Sequence, residues 1–132
     1  IERALIEGEI EPDDIPALWD AKMLELLGLD TRGNFKDGPL QDVHWSEGGF
    51  GYFPCYSLGA MYAAQLMAAA RRALPTLDRD IEEGDFSALF DWLRQNIWQH
   101  GSRFTTEQLI TQATGEPLSS RYFRAHLEAR YL

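Results

Sequence analysis

Apolar side chains recur every three or four positions along most of the chain, the spacing that places them on one face of an α-helix. The clearest pattern consists of Phe86, Leu89, Phe90, Leu93 and Ile97. No long segment alternates apolar and polar residues with the period of two that a half-buried strand shows. The pattern predicts an all-α fold with at most a short hairpin near residues 41–46, and we expect a short extended piece from Gln41 to Trp45.

Turn and capping residues divide the first half of this pattern into helices. One helix ends at Gly8, and a second begins after Asp13 or Asp14 and runs to Gly28. The apolar face of that second helix holds Ile15, Leu18, Trp19, Met23, Leu26 and Leu27. A third helix begins at Tyr56 and ends before Pro75. Because it is apolar nearly all round, we expect it to be the central and most buried helix.

The second half of the chain predicts four more helices. A short one covers 77–83, and the amphipathic pattern that starts at Phe86 continues until Gly101. Thr105 and Gln108 form a capping box that opens a helix through Ala113. The last helix starts at Ser119 or Ser120, and its apolar side chains then recur at steps of four.

Composition narrows the classes of protein to consider. A chain of 132 residues with 45% hydrophobic residues is about one globular domain. Its net charge is −9 and its basic residues are scattered, which argues against nucleic acid or an anionic membrane as a partner. Cys55 is the only cysteine, so no intrachain disulfide can form. We find no apolar run of membrane-spanning length and no signal-peptide pattern at the start, and expect a cytoplasmic location.

The segment from Gly38 to Gln65 has a composition that a core helix does not need. It combines one histidine, Trp45, three tyrosines, several glycines and two prolines. Glycine and proline favour tight turns, and tyrosine or tryptophan can line a pocket while presenting a donor to it. We therefore expect this segment to form the wall of a binding or catalytic site.

The same segment carries a family resemblance. Its beginning fits the motif G-x-x-Q-D-x-H-W through Gly38, Gln41, Asp42, His44 and Trp45. The pattern continues with Gly51-Tyr52-Phe53-Pro54, Tyr56, Leu58-Gly59 and Ala63-Ala64-Gln65. These residues resemble the C-terminal part of the M32 metallocarboxypeptidases, the carboxypeptidase Taq type. One departure is Cys55, which stands where the family pattern leads us to expect a threonine.

The resemblance implies a role for the whole of 1–132. The chain would be the C-terminal helical region of a larger gluzincin-like metallopeptidase that releases single residues from peptide C-termini. Zinc, or cobalt, would be held by an upstream H-E-x-x-H motif, which these 132 residues lack. The implied partners are a peptide substrate and the missing N-terminal catalytic region, with a homodimer possible. On this interpretation the chain alone is inactive.

The histidines themselves do not predict a metal site within the chain. They stand at 44, 100 and 126, and none has a second histidine three or four positions away. A catalytic zinc site usually takes three protein ligands, two of them often on one helix face. We therefore predict no metal ligand among these residues.

Two interpretations are open for His44, Tyr52 and Tyr56. They could order the loop and pack with satisfied polar atoms, or donate hydrogen bonds to the oxygen of a scissile carbonyl, where negative charge develops. The resemblance favours catalytic roles for His44 and Tyr52. More distant H-E-x-x-H peptidases are similar in placing a histidine and a tyrosine over that carbonyl, and Tyr56 is the second choice.

The remaining candidates are assigned to substrate binding. Gln41, Asp42, Trp45 and Tyr56 would form the substrate-facing wall with the two catalytic candidates, although Asp42 could equally cap or turn the loop. The arginines at 121, 124 and 130 could bind a free carboxylate, but a solvated helix face is the favoured interpretation. The alternative function for the whole chain is a non-catalytic helical domain whose aromatic patch binds a partner helix or peptide.

Overall fold

The computed structural model describes residues 1–132 and contains helices and turns but no strand. The seven α-helices are α1 (Glu2–Ile6), α2 (Ile15–Leu27), α3 (Pro54–Ala73), α4 (Leu77–Glu82), α5 (Ser87–Asn96), α6 (Thr106–Thr114) and α7 (Ser120–Tyr131). Three short 3-10 helices cover Pro12–Asp14, Pro39–Gln41 and Trp98–His100. The all-α prediction is confirmed.

The extended piece expected at residues 41–45 was wrong. The chain forms a 3-10 turn over Pro39–Gln41 and hydrogen-bonded turns from His44 to Gly48. In these turns the main-chain N–H groups of Glu47 and Gly49 both donate to the carbonyl of His44. These local bonds and the glycines at 48 and 49 favour a compact loop over an extended ladder.

The chain divides into two compact units, Ile1–Cys55 and Tyr56–Leu132. In the first unit, α2 begins as predicted after Asp14, whose carboxylate accepts from the main-chain N–H of Glu11 at 3.0 Å. It ends at Gly28, which takes a left-handed conformation. The predicted apolar face is only partly covered, because Leu26 and Leu27 are 71% and 63% exposed.

In the second unit, the buried hydrophobic residues are Ala69, Ala70, Leu77 and Ile110. Two of them lie in the second half of α3, where small side chains allow neighbouring segments to approach closely. As expected, α3 has more buried residues than any other helix, but they all lie in its second half, and every residue from 54 to 59 is exposed. Periodicity shows that a helix is apolar, but it does not show whether anything covers it.

A buried glutamine organises the same unit. Gln65 of α3 is fully buried, and its amide Nε2 donates to Thr114 Oγ1 at 2.8 Å and to the carbonyls of Glu116 and Pro117. Its Oε1 accepts from the main-chain N–H of Ser119 at 2.8 Å. One side chain therefore satisfies the polar groups of the turn between α6 and α7.

The predicted boundaries of the later helices hold to within two residues, except that α5 ends at Asn96 and a separate 3-10 helix covers Trp98–His100 before Gly101. Thr105 Oγ1 accepts from the Gln108 N–H at 3.2 Å, and Gln108 Oε1 accepts from the Thr105 N–H at 3.0 Å, which is the predicted capping box. Gly8 and Gly28, which were predicted to end helices, both have positive φ, as do Gly84 and Gly115 after α4 and α6. These ends follow from local chemistry, and for that reason they could be predicted from neighbouring residues.

The chain exposes much apolar surface. Its accessible surface is 9623 Å² for 15.1 kDa, about a third more than the roughly 7,100 Å² expected of a folded monomer of that mass. Tyr131, Leu40 and Phe53 are among the large side chains that are more than half exposed. No helix is long and apolar enough to cross a membrane.

Candidate functional site

The predicted site residues of the first unit lie on one irregular segment, residues 38–53, which we call the aromatic loop. It begins at Gly38, which is buried and must be glycine, because a Cβ there would lie 2.5 Å from the carbonyl oxygen of Asn34. Gln41 is exposed, and its amide donates to the carbonyl of Lys36 at 2.7 Å. Gln41 therefore anchors the start of the loop with at least one of its polar atoms.

Asp42 holds His44 at two points. Its Oδ1 accepts from the main-chain N–H of His44 at 3.1 Å and lies 3.1 Å from the ring nitrogen Nδ1. Both side chains are mostly shielded, with 14% of Asp42 and 22% of His44 exposed. A carboxylate can only accept, so Nδ1 carries a hydrogen, and the orientation and tautomer of the imidazole are both set by this contact.

Two aromatic rings contact the His44 imidazole. The ring of Tyr52 lies 5.4 Å away between centroids, tilted by 34°, and the ring of Phe53 lies 4.8 Å away at 75°, edge to face. These spacings are typical of packed aromatic pairs. The structure thus brings together three of the predicted residues, Asp42, His44 and Tyr52, with Phe53, which belongs to the family pattern but was not assigned to the site.

The turn between His44 and Tyr52 depends on a close backbone approach. The N–H of Gly49 donates to the carbonyl of His44 at 2.7 Å, and a Cβ at Gly49 would lie 3.2 Å from that oxygen. The N–H of Cys55 then donates to the carbonyl of Tyr52 at 2.9 Å, which joins Tyr52 to the first turn of α3. Cys55 itself is exposed, with Sγ 4.0 Å from the Gly51 carbonyl oxygen.

Glu2 in the first turn of α1 also holds this loop, and sequence reasoning missed it. Its Oε1 accepts from the main-chain N–H of Gly51 in a short hydrogen bond, and its Oε2 accepts from the indole N–H of Trp45 at 3.4 Å. Trp45 is half-buried. Its indole, which was predicted to face substrate, also attaches the loop to α1 through Glu2. No sequence signal marks a partner more than 40 residues away.

The remaining candidates belong to the second unit. Tyr56 belongs to the second unit, in the exposed first turns of α3, and is 60% exposed. The three arginines of α7 have partners within the second unit, in agreement with the favoured interpretation of a solvated face. Arg121 pairs with Glu116 and Tyr122, Arg124 with Glu128, and Arg130 lies over the ring of Tyr131. The pKa of Arg121 is raised, first by its hydrogen bond with the Tyr122 hydroxyl and then by the charge of Glu116.

The residues of this chain do not fit a metal ion. No group of three or more His, Cys, Asp or Glu side chains is arranged to hold one. The shielded pair of Asp42 and His44 supplies at most two ligands, and its geometry is that of a hydrogen bond between the two groups.

The chain was compared with known proteins. The model of the carboxypeptidase Taq (M32) metallopeptidase family matches residues 1–131. Thermostable carboxypeptidase 1 of Thermus thermophilus is 44% identical over 99% of this chain, and carboxypeptidase 1 of Bacillus subtilis is 42% identical over the same share. Metallocarboxypeptidase 1 of Trypanosoma cruzi superposes with a TM-score of 0.90 at 53% identity over 98% of this chain.

The match covers only part of these relatives. The chain spans 26% of the length of each of the two curated carboxypeptidases and 27% of the Trypanosoma cruzi structure. The matches nevertheless include almost the whole of this chain. The solved structures that it resembles are helical metallocarboxypeptidases. The resemblance read from the aromatic loop is therefore confirmed, and the chain belongs to the M32 family of metallopeptidases.

Proposed function

We propose that this chain forms a substrate-facing wall of a metallocarboxypeptidase that hydrolyses single amino acids from peptide C-termini. The observation that carries the proposal is the cluster of Asp42, His44 and Tyr52, in which an oriented imidazole lies beside a tyrosine ring. Membership of the M32 family supports the reaction class. Gln41 and Trp45 would shape the wall around the cluster, and Tyr56 keeps its predicted substrate-binding role as part of this proposal.

His44 and Tyr52 would act on the carbonyl oxygen of the scissile peptide bond. Negative charge develops on that oxygen as the carbonyl is attacked, and donors already in place stabilise it. Because Nδ1 of His44 donates to Asp42, donation from Nε2 requires the protonated ring. Asp42 is thus better placed to orient His44 than to bind the peptide itself.

The metal that the family uses would be bound outside this chain. No group of side chains in the 132 residues is arranged to hold a metal ion. Zinc or cobalt would be held by the remaining part of a longer enzyme, to which the exposed apolar surface of this chain gives a large area for contact. The chain by itself would then be inactive. A homodimer and a cytoplasmic location remain part of this proposal.

The experiment is peptide hydrolysis by the complete protein that carries this chain, with and without a chelator, and with zinc or cobalt restored. We expect metal-dependent release of C-terminal residues by the complete protein and none by residues 1–132 alone. His44→Ala should abolish most of the release, whereas His126→Ala, on the exposed side of α7, should not. A complete protein that releases no residues would refute the proposal, and activity of the 132-residue chain would show that it holds a metal site.

One observation favours a second candidate function. The excess exposed surface includes aromatic side chains such as Phe53 and Trp98, which are typical of protein-binding surfaces. A non-catalytic interaction domain would use them to bind a partner helix or peptide. Retention of a peptide that the complete protein does not cleave would support this candidate over the first.

A further inference from the structure

We propose that Glu2 is a positioning residue for the aromatic loop, acting through Gly51 and Trp45 on His44 and Tyr52. The proposal rests on the proposed function, because it is the catalytic use of the loop that gives its position a measurable effect. Glu2 itself touches none of the proposed catalytic side chains by a hydrogen bond. Its role would be to hold the turn that separates them.

The geometry supports this role. The two carboxylate oxygens of Glu2 engage two different donors, the N–H of Gly51 and the indole N–H of Trp45. Trp45 directly follows His44, and Gly51 directly precedes Tyr52. The two contacts therefore lie next to both proposed catalytic residues, one at each end of the intervening turn.

The other main-chain hydrogen bonds of the turn between these two points are formed within the loop itself. The N–H of Gly49 donates to the carbonyl of His44 at 2.7 Å, and the N–H of Gly48 donates to the carbonyl of Trp45 at 3.1 Å, so both bonds join the loop only to itself. Glu2 joins it to a helix. A charged acceptor also makes stronger hydrogen bonds than a neutral one, which suits a contact that must hold a glycine-rich turn.

The effect of Glu2 on the rate of hydrolysis can be measured separately from its effect on folding stability. Glu2 is half-buried and lies in a five-residue helix that has no fully buried residue, so its loss removes no core contact of that helix. A displacement of His44 and Tyr52 by a fraction of an ångström to one ångström would instead lower the rate, on the order of tenfold to a hundredfold. We expect the loss in kcat and little change in KM, since both donors act mainly on the transition state.

The test uses the complete enzyme with Glu2→Ala and Glu2→Gln, and with Glu7→Gln as the matched control. Glu7 lies just after the same helix, and its exposed carboxylate pairs only with Arg3. Glu2→Ala should lower kcat on the order of tenfold or more. Glu2→Gln should recover part of the loss because the amide oxygen still accepts one hydrogen bond, and Glu7→Gln should match the unsubstituted enzyme.

Two further measurements separate positioning from a general structural role. Hydrogen exchange followed by mass spectrometry should show faster exchange over residues 45–53 in Glu2→Ala, and the same exchange as in the unsubstituted enzyme over α6. In a Tyr52→Phe background, Glu2→Ala should cost less than it does alone, since part of its effect passes through Tyr52.

The outcomes distinguish this inference from the proposed function. If His44→Ala and Tyr52→Phe lower kcat but Glu2→Ala leaves kcat or the exchange of residues 45–53 unchanged, the positioning role is overturned and the proposed function stands. If the complete enzyme hydrolyses no peptide, the proposed function fails by itself. Accelerated exchange in Glu2→Ala would then still confirm that Glu2 holds the loop, without a role in catalysis.

Discussion

The carboxylate of Asp42 binds both the main chain and the ring of His44, with Oδ1 3.1 Å from the main-chain nitrogen and 3.1 Å from Nδ1. Asp42 and His44 are two residues apart, and the hydrogen bond between the Asp42 carboxylate and the His44 main chain closes a turn. The same carboxylate fixes the orientation of the imidazole. Aspartate is common at turns, and here the same atom that closes the turn selects the tautomer. The local backbone and the proposed chemistry of His44 are therefore set by one side chain.

We predict that Asp42→Asn in the complete enzyme lowers kcat by on the order of tenfold with a small change in KM. The amide can still accept from the main chain, but a neutral amide makes a weaker hydrogen bond to the imidazole than a carboxylate does and holds the ring less firmly. Peptide hydrolysis kinetics provide the measurement, and Asp37→Asn, an exposed carboxylate of the preceding turn, is the control. Equal rates for the two variants would contradict the orienting role.

Tyr52→Phe should lower kcat more than it raises KM, because the phenol would donate to an oxygen that becomes negative only in the transition state. We expect a loss of roughly 2 to 4 kcal/mol in transition-state stabilisation, the range of comparable oxyanion donors. The substitution keeps the ring and therefore its contact with the His44 imidazole. A raised KM with unchanged kcat would assign Tyr52 to substrate binding alone, and Tyr131→Phe serves as the control.

Gln65→Leu should destabilise the second unit by about 3 kcal/mol, because the buried N–H of Ser119 and the carbonyl of Pro117 lose their partner. Urea unfolding monitored by circular dichroism measures the change. The control is Gln112→Leu on the exposed side of α6, which should stay within about 0.5 kcal/mol. Similar urea midpoints for Gln65→Leu and Gln112→Leu would show that the hydrogen bonds of Gln65 do not stabilise the unit.

Gln65→Glu adds a pH dependence to the same test. A buried glutamate at this position has a raised pKa, because burial desolvates the charged form and the carbonyl oxygens of Glu116 and Pro117 repel it. In the folded state the protonated acid can still donate, so the variant should be most stable in acid. Its stability should fall as pH rises from the unfolded pKa through the raised folded pKa. An equal free energy of unfolding at pH 4 and pH 8 for this variant would refute the prediction.

Thr105→Ala should cost about 1 kcal/mol, the usual value of an N-cap hydrogen bond. Thr105 satisfies the N–H of Gln108, whereas Ser119, at the same position of α7, makes no capping bond with its side chain. Ser119→Ala keeps the main-chain N–H that binds Gln65 and should have little effect. Chemical unfolding measures the loss of stability in both variants. Equal losses in the free energy of unfolding would show that the Thr105 capping bond does not stabilise the chain.

Residues 1–132 should bind a hydrophobic dye and self-associate as their concentration rises. The reason is the accessible surface of 9623 Å², about a third above that of a typical monomer of this mass. Dye fluorescence and size-exclusion chromatography with light scattering measure both properties, with the complete enzyme as the comparison. A compact monomer that leaves the dye unbound would contradict the expectation.

Sequence reasoning was most successful where the cause is local. The capping box at Thr105 and Gln108 and the left-handed glycines at helix ends depend on residues within one turn of the chain, and all were predicted. It was less successful at the aromatic loop, where a short extended piece was expected and a 3-10 turn was found. There the conformation depends on bonds between main-chain groups that no side-chain pattern reveals.

The sequence by itself determined the helices, most of their ends, and the motif that places Asp42, His44 and Tyr52 in one loop, because these depend on periodicity, caps and residue types at short range. Only the tertiary structure decided which side chains hold that loop and the turn after α6. Glu2 meets Gly51 across 49 positions, and Gln65 meets Ser119 across 54. Such pairs form when packing brings distant segments together, and the free energy of that packing is distributed over the whole chain.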